Sequence, residues 1–228
     1  MSRLISTFKN RFLNRISRIL GVLFHLLYTT FAWAYDLVAG FVSLGRWQKW
    51  VISILPLTMP SPALELGFGT GHLLEAVSLI TPEVYGIDLS RQMCSLTQKR
   101  IRKTRRDLKI SCASTEGIPF ANESMSTIFS TFPAPYIFSE ATATEIDRIL
   151  KPGGVLVVLL SVEINGSEWM VRLMRFLFRW AGSQQIDQRM IETIFSALIS
   201  TGLVPRLEIL KCGSDNLFVV TMKKEPAF

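Results

Sequence analysis

The stretch Glu65-Leu-Gly-Phe-Gly-Thr-Gly-His72 constrains this chain more than any other. Three glycines at alternate positions follow the short apolar run Ala63-Leu-Glu-Leu66. They precede an amphipathic run from Leu73 to Ile80. The pattern predicts a strand, a tight turn and a helix. Glycine at 67, 69 and 71 lets the turn take positive φ and lets a ligand lie against bare main chain. The next apolar run, Val84-Tyr-Gly-Ile-Asp88, ends in an acid 21 residues beyond Gly67. A carboxylate at the tip of a second strand is where a nucleotide's ribose hydroxyls are held. The spacing is G-x-G-x-G rather than G-x-G-x-x-G, which disfavours a dinucleotide. The absence of G-K-[ST] excludes a P-loop.

Further motifs follow in order. They are Tyr35-Asp36, the glycine turn, Gly86-Ile-Asp-Leu-Ser90, Glu116-Gly-Ile-Pro-Phe120, Ser130-Thr-Phe-Pro133 and Lys151-Pro-Gly-Gly154. Together they resemble the class I S-adenosylmethionine-dependent methyltransferases, in particular the ubiquinone/menaquinone biosynthesis and small-molecule subgroup. The resemblance runs from about Tyr35 to Lys223. It implies S-adenosyl-L-methionine as cofactor, with Glu65, Gly67, Phe68, Gly69 and Gly71 around its amino-acid and ribose portions. Asp88 would hold the ribose hydroxyls and Leu89 would flank the adenine. Ser114, Thr115 and Thr131 complete the implied cofactor set. Ser114 stands where the family often has Asp, and Met125-Ser126 stands where an aromatic and Asp are common. Phe132-Pro-Ala-Pro135 replaces the [N/D]-P-P-[Y/F/W] of base-amino methyltransferases, which disfavours a nucleobase acceptor. Tyr136 is open to two readings, a hydrogen bond to substrate or a cap on the sheet. Methyl transfer from a sulfonium is an in-line displacement that rests on alignment and water exclusion. No catalytic residue is assigned, and no metal site is expected.

Apolar strands are expected near 63–67, 84–88, 108–113, 126–132, 154–161, 204–211 and 216–223. Helices are expected near 70–80, 90–106, 140–150 and 187–201. This alternation predicts an α/β fold, a Rossmann-like, seven-stranded, mostly parallel sheet with helices on both faces. The last two strands have no helix between them, so the final strand should be antiparallel. Residues 56–228 form the expected S-adenosylmethionine-binding domain, with a cap insertion at 163–185. That insertion sets Arg172, Arg175 and Arg179 on one helical stripe among Trp169, Leu173, Phe176, Leu177 and Trp180. Three widely spaced cysteines without a C-x-x-C pair suit reduced thiols in a cytoplasmic compartment.

The net charge of +7 is placed unevenly. Residues 1–50 hold seven Lys/Arg and one acid, whereas the remainder holds 18 basic and 17 acidic residues. A basic head on a nearly neutral body points to a localised anionic partner. Residues 1–55 are therefore read as a basic, amphipathic N-terminal helical appendage that serves as membrane contact and lid. Ile19 to Tyr35 is uncharged with His25 neutral, and three readings stand: a helix lying in the interface, a single N-terminal span, or a signal peptide. The first places the protein in the cytoplasm, peripheral on the cytoplasmic face of a membrane. A small lipophilic acceptor, quinone-like or lipid, is the expected substrate. The alternatives are a protein or RNA methyltransferase, or a membrane-attached cofactor-binding protein without turnover. The basic run Lys99 to Arg106 contains no aromatic for base stacking, so nucleic acid is not favoured.

Overall fold

The computed structural model describes residues 35–57, 61–104, 108–166, 191–192 and 195–226. The expected basic amphipathic segment before Tyr35 and most of the expected cap insertion lie outside the described residues.

The chain opens with two short helices, α1 (Tyr35–Val42) and α2 (Trp47–Ile52). Alternation then begins: β1 (Ala63–Leu66), α3 (His72–Val77), β2 (Val84–Asp88), α4 (Arg91–Thr104) and β3 (Lys109–Cys112). Next come β4 (Met125–Thr131), α5 (Glu140–Ile149) and β5 (Leu150–Glu163). The chain closes with α6 (Ser196–Ser200), β6 (Val204–Cys212) and β7 (Asp215–Lys223). The sheet order is β3-β2-β1-β4-β5-β7-β6. All pairings from β3 to β5 are parallel, and β7 runs antiparallel to both β5 and β6. The expected seven-stranded sheet and its antiparallel last strand are both present.

Every side chain of β1 is buried. A central strand covered on both faces reads as a continuous apolar run, so the alternation of a half-exposed strand is missing there. One face carries Leu64, Leu66, Ile87 and Ile128 beneath Ile146 of α5 and Leu198 of α6. The other carries Ala63, Phe129 and Val157 beneath Leu73 and Val77 of α3 and Trp50 and Val51 of α2. Helix α5 starts where Ser139 caps it by accepting from Thr142 N.

Several element boundaries differ from the sequence reading, and the helix expected near 187–201 is described only at 191–192 and as α6. Strand β5 begins at Leu150, which pairs with Met125, so Lys151-Pro-Gly-Gly154 lies within a strand interrupted by a register shift. Helix α3 is shorter than expected, because Ser78 already closes its last turn. In the last hairpin Cys212 pairs with Asp215, leaving a two-residue loop whose first residue, Gly213, takes φ +63°.

Strand order reverses between β1 and β4: the chain moves from β1 to one side and returns to the other. A crevice at the carboxyl ends of those two strands follows from the topology. The glycine turn leaves β1 at that point, and Thr131 ends β4 beside it.

Candidate functional site

The cleft at the switch point is lined by Glu65, Gly67, Phe68, Gly69 and Thr131 from the sheet edge. Tyr35 and Trp47, from α1 and α2, cover it from above, with Thr70 and His72 at the rim. The sequence reading brought the first five together. Trp47 was missed as a site residue, although its ring stacks on Phe132 at 4.4 Å between centroids and meets Tyr35 edge-on. Phe132 takes φ +47°, an outlier for a bulky residue, right after the end of β4.

The three glycines have different physical reasons. A Cβ on Gly67 would strike the Tyr136 hydroxyl, and one on Gly71 would lie 2.6 Å from Thr97 Cγ2. Both are glycines because protein atoms fill the space. Gly69, at φ +53°, would point a Cβ into open space. Its bare main chain therefore faces the cleft rather than the core. The Tyr136 hydroxyl donates to Leu66 O at 3.0 Å beside Ser130, which donates to the same carbonyl, an arrangement that caps the sheet.

Two carboxyl groups sit under the turn. Asp88 is 7% exposed. Its Oδ2 accepts from Gly69 N at 2.9 Å and its Oδ1 from Ser90 N at 2.8 Å. Burial pushes its carboxyl above the ordinary range, opposed by those two N–H donors. Each oxygen keeps a second lone pair for a further donor. Glu65 is 1% exposed, and its Oε2 has no hydrogen-bond partner among the described residues. Burial first, and then the Asp88 charge, raise its carboxyl well above the usual value, with the Leu74 backbone N–H acting the other way. A buried, unpartnered carboxyl oxygen in a cleft wall is costly unless a donor arrives from outside the chain.

The cover is clasped to the turn by Asp36. Its Oδ1 accepts from Thr70 Oγ1 at 2.7 Å, and its Oδ2 lies 3.3 Å from His72 Nε2 and 3.6 Å from Arg100. Burial works to raise the Asp36 pKa, but the His72 and Thr70 hydrogen bonds and the His72 and Arg100 charges together lower it. His72 also meets Gln48 through Nδ1 at 3.2 Å and Arg100 through Nε2 at 3.0 Å. Both ring nitrogens are engaged within the clasp, which argues against His72 as a free general base. The cover is pinned at its far end by Asp215, which receives Arg46 at 3.0 Å, Trp50 Nε1 at 2.9 Å and Asn165 N at 2.9 Å.

Comparison with known proteins bears on this geometry. The family described as "Methyltransferase domain" matches residues 64–158, the span that holds the glycine turn, Asp88 and β4. Residues 64–158 belong to that methyltransferase-domain family. A demethylmenaquinone methyltransferase of Tropheryma whipplei (strain Twist) is 29% identical over 137 residues, covering 58% of this chain and 56% of that protein. A malonyl-[acyl-carrier protein] O-methyltransferase of Marinomonas sp. (strain MWYL1) is 31% identical over 189 residues, covering 81% of this chain and 66% of that one. The chain thus matches little more than half the length of the first of these curated relatives. Among solved structures, a Methanococcus maripaludis protein assigned as an S-adenosyl-L-methionine-dependent methyltransferase superposes with a TM-score of 0.63. It is 17% identical, and the match covers 86% of this chain and 93% of that one. At that identity the likeness shows the fold.

The remaining positions of the expected cofactor set fall as follows. Leu89 is 75% exposed on the lip beyond Asp88. Ser114 is exposed, with its hydroxyl accepting from Glu116 N. Thr115 turns toward α5, where its hydroxyl meets that of Thr142 at 2.8 Å. The residues present fit an adenosyl sulfonium amino acid on two structural grounds: the unpartnered Glu65 oxygen suits an ammonium, and the open face at Gly69 suits close approach of a ligand to main chain. Among the described residues no group of three or more His, Cys, Asp or Glu is placed to hold a metal ion.

Proposed function

We propose that this chain transfers a methyl group from S-adenosyl-L-methionine to a small lipophilic acceptor, quinone-like or lipid. The observation that carries the reading is one cleft with two unlike walls. On one side are Glu65, with a buried oxygen lacking a partner, and the open Gly69 main chain. On the other are Trp47, stacked on Phe132, and Tyr35. The charged wall suits the cofactor's amino acid and the aromatic wall suits an apolar acceptor.

When bound, the cofactor supplies an electrophilic methyl on sulfur and a neutral thioether leaving group. Glu65 would accept hydrogen bonds from the ammonium, and the free lone pairs of Asp88 would accept from the ribose hydroxyls. Thr131 lies at the lip where the two walls meet. Trp47, Tyr35 and Phe132 would orient the acceptor and keep water out, which is most of what an in-line displacement asks of a protein. The cavity is about 30 Å³, room for only about two or three waters. Helices α1 and α2 would therefore shift to admit the cofactor and close again, with the Asp36 clasp as the latch.

We assign residues 1–55 to membrane contact and lid, and 56–228 to the catalytic body with a cap at 163–185. Peripheral attachment to an anionic, cytoplasmic membrane face fits the basic head. It also fits α1, which exposes Leu37 and Phe41 one turn apart. Among the described residues no helix is long and apolar enough to cross a membrane. The reading is tested by incubating the protein with methyl-labelled cofactor and a total lipid extract. A labelled product in the organic phase supports it, and label in protein or RNA instead overturns the acceptor class. Flotation with anionic vesicles tests attachment, which should weaken but persist at high salt. A full-length protein that ignores such vesicles removes the membrane from the account.

A further inference from the structure

Two thiols meet behind the strand tip that carries Asp88. Cys94 lies in the first turn of α4, and its Sγ donates to Asp88 O at 3.5 Å. Cys112 ends β3, and its Sγ donates to Leu89 O at 3.6 Å. Asp88 and Cys112 are register partners in the β2–β3 pairing, so the two side chains converge on consecutive carbonyls of one loop. The two side chains are close enough to interact. Cys112 is exposed and Cys94 half-buried, so one thiol meets solvent and the other waits behind it. Cys212, on β6, is the third cysteine and pairs in register with Asp215.

We infer that Cys94 and Cys112 form a redox site, oxidised by a low-molecular-weight disulfide to an intramolecular bond that loosens the Asp88–Leu89 loop. The exposed Cys112 sulfur, as thiolate, attacks one sulfur of the small disulfide, breaking its S–S bond and releasing one small thiol. Cys94 then attacks the Cys112 sulfur of the mixed disulfide and releases the second small thiol. Two protein thiols become one disulfide, and one small disulfide becomes two small thiols, so electrons and protons balance. Burial, followed by the hydrogen bond and charge of Cys112 and the charge of Asp88, pushes the Cys94 thiol up to about 12. That makes Cys94 the slow, resolving partner and Cys112 the entry point.

The consequence rests on the cofactor reading given above. In the dithiol state two S–H donors steady the carbonyls of Asp88 and Leu89. In the disulfide both donors are gone, and the loop that presents the Asp88 carboxylate loses two weak hydrogen bonds. Affinity for the cofactor should fall about fivefold, the scale of two such bonds.

The test uses the full-length protein, treated with oxidised glutathione and then with an alkylating reagent. Mass spectrometry should find a Cys94–Cys112 linked peptide pair, with Cys212 alkylated. Calorimetry with S-adenosylhomocysteine should show about fivefold weaker binding by the oxidised protein, restored by a phosphine reductant. Cys112→Ser should fold, by circular dichroism, and bind with an affinity indifferent to oxidised glutathione. The inference is overturned if Cys94 and Cys112 stay alkylatable, or if the linked protein binds as the reduced one does. Failure of the reduced protein to bind S-adenosylhomocysteine would strike the cofactor reading instead. The linked peptide would then still stand as evidence of the redox site.

Discussion

The backbone N–H of Gly69 donates to Asp88 Oδ2 at 2.9 Å, tying the glycine turn of one strand to the acidic tip of the next. The same carboxylate holds Ser90 N, so it fixes both sides of the cleft floor at once. Replacement of Asp88 by Asn leaves one acceptor oxygen for two N–H groups and turns an amide donor toward one of them. We expect Asp88→Asn to fold and to bind S-adenosylhomocysteine more weakly by about 1.5–3 kcal/mol, as for lost charge-assisted hydrogen bonds. Calorimetry gives the difference directly, and unchanged affinity would remove Asp88 from the ribose site.

Glu65 makes stability and binding respond oppositely to pH. Its folded pKa lies well above the ordinary 4.5, raised first by burial and then by Asp88. The sign follows: its contribution to stability is fully present below the unfolded pKa and is lost as pH rises through the elevated folded value. Glu65→Gln removes that loss. The variant should melt higher than the native protein, by a margin that widens as pH rises above 4.5, while binding S-adenosylhomocysteine less tightly. Thermal melts across pH 4 to 8 would expose an error here if the two proteins keep a constant separation.

Asp215 is 1% exposed and collects Arg46 and Trp50 from one distant segment and Asn165 from another. Asp215→Ala leaves the buried Trp50 N–H without its acceptor and Arg46 with only Asn165 O. A loss of about 3 kcal/mol is expected, in the range for breaking a buried ion pair. Urea denaturation of the two proteins measures it. A loss below 1 kcal/mol would show that the cover is held by packing alone.

Much of this fold is written in local sequence. The glycine turn, the apolar strands and the helix periods between them give the seven strands in order, since parallel buried strands are continuous apolar runs. Lys151-Pro-Gly-Gly154 misled because its residues belong to turns by type, whereas the Leu150–Met125 pairing draws the segment into β5. Asp215 looked like a turn residue beside Gly213 and Ser214. Its burial depends on Arg46 and Trp50, more than 160 residues earlier, and no local pattern carries that. Trp47 was invisible as a site residue for the same reason. Its partner Phe132 lies at the end of β4, and only the topology brings the two rings together. Glu65 and Asp88, by contrast, sit at strand tips whose position the motif spacing fixes.

Gly69 is where the account is most exposed. A Cβ there meets no protein atom within 4 Å, so a side chain would occupy only the space assigned to the cofactor, at the strain of φ +53°. Calorimetry with S-adenosylhomocysteine on the native protein and on Gly69→Val, each verified as folded by circular dichroism, tests this most directly. The account predicts one-to-one binding by the native protein and none detectable by the variant. Equal binding by both would place the cofactor away from the glycine turn and contradict the central claim.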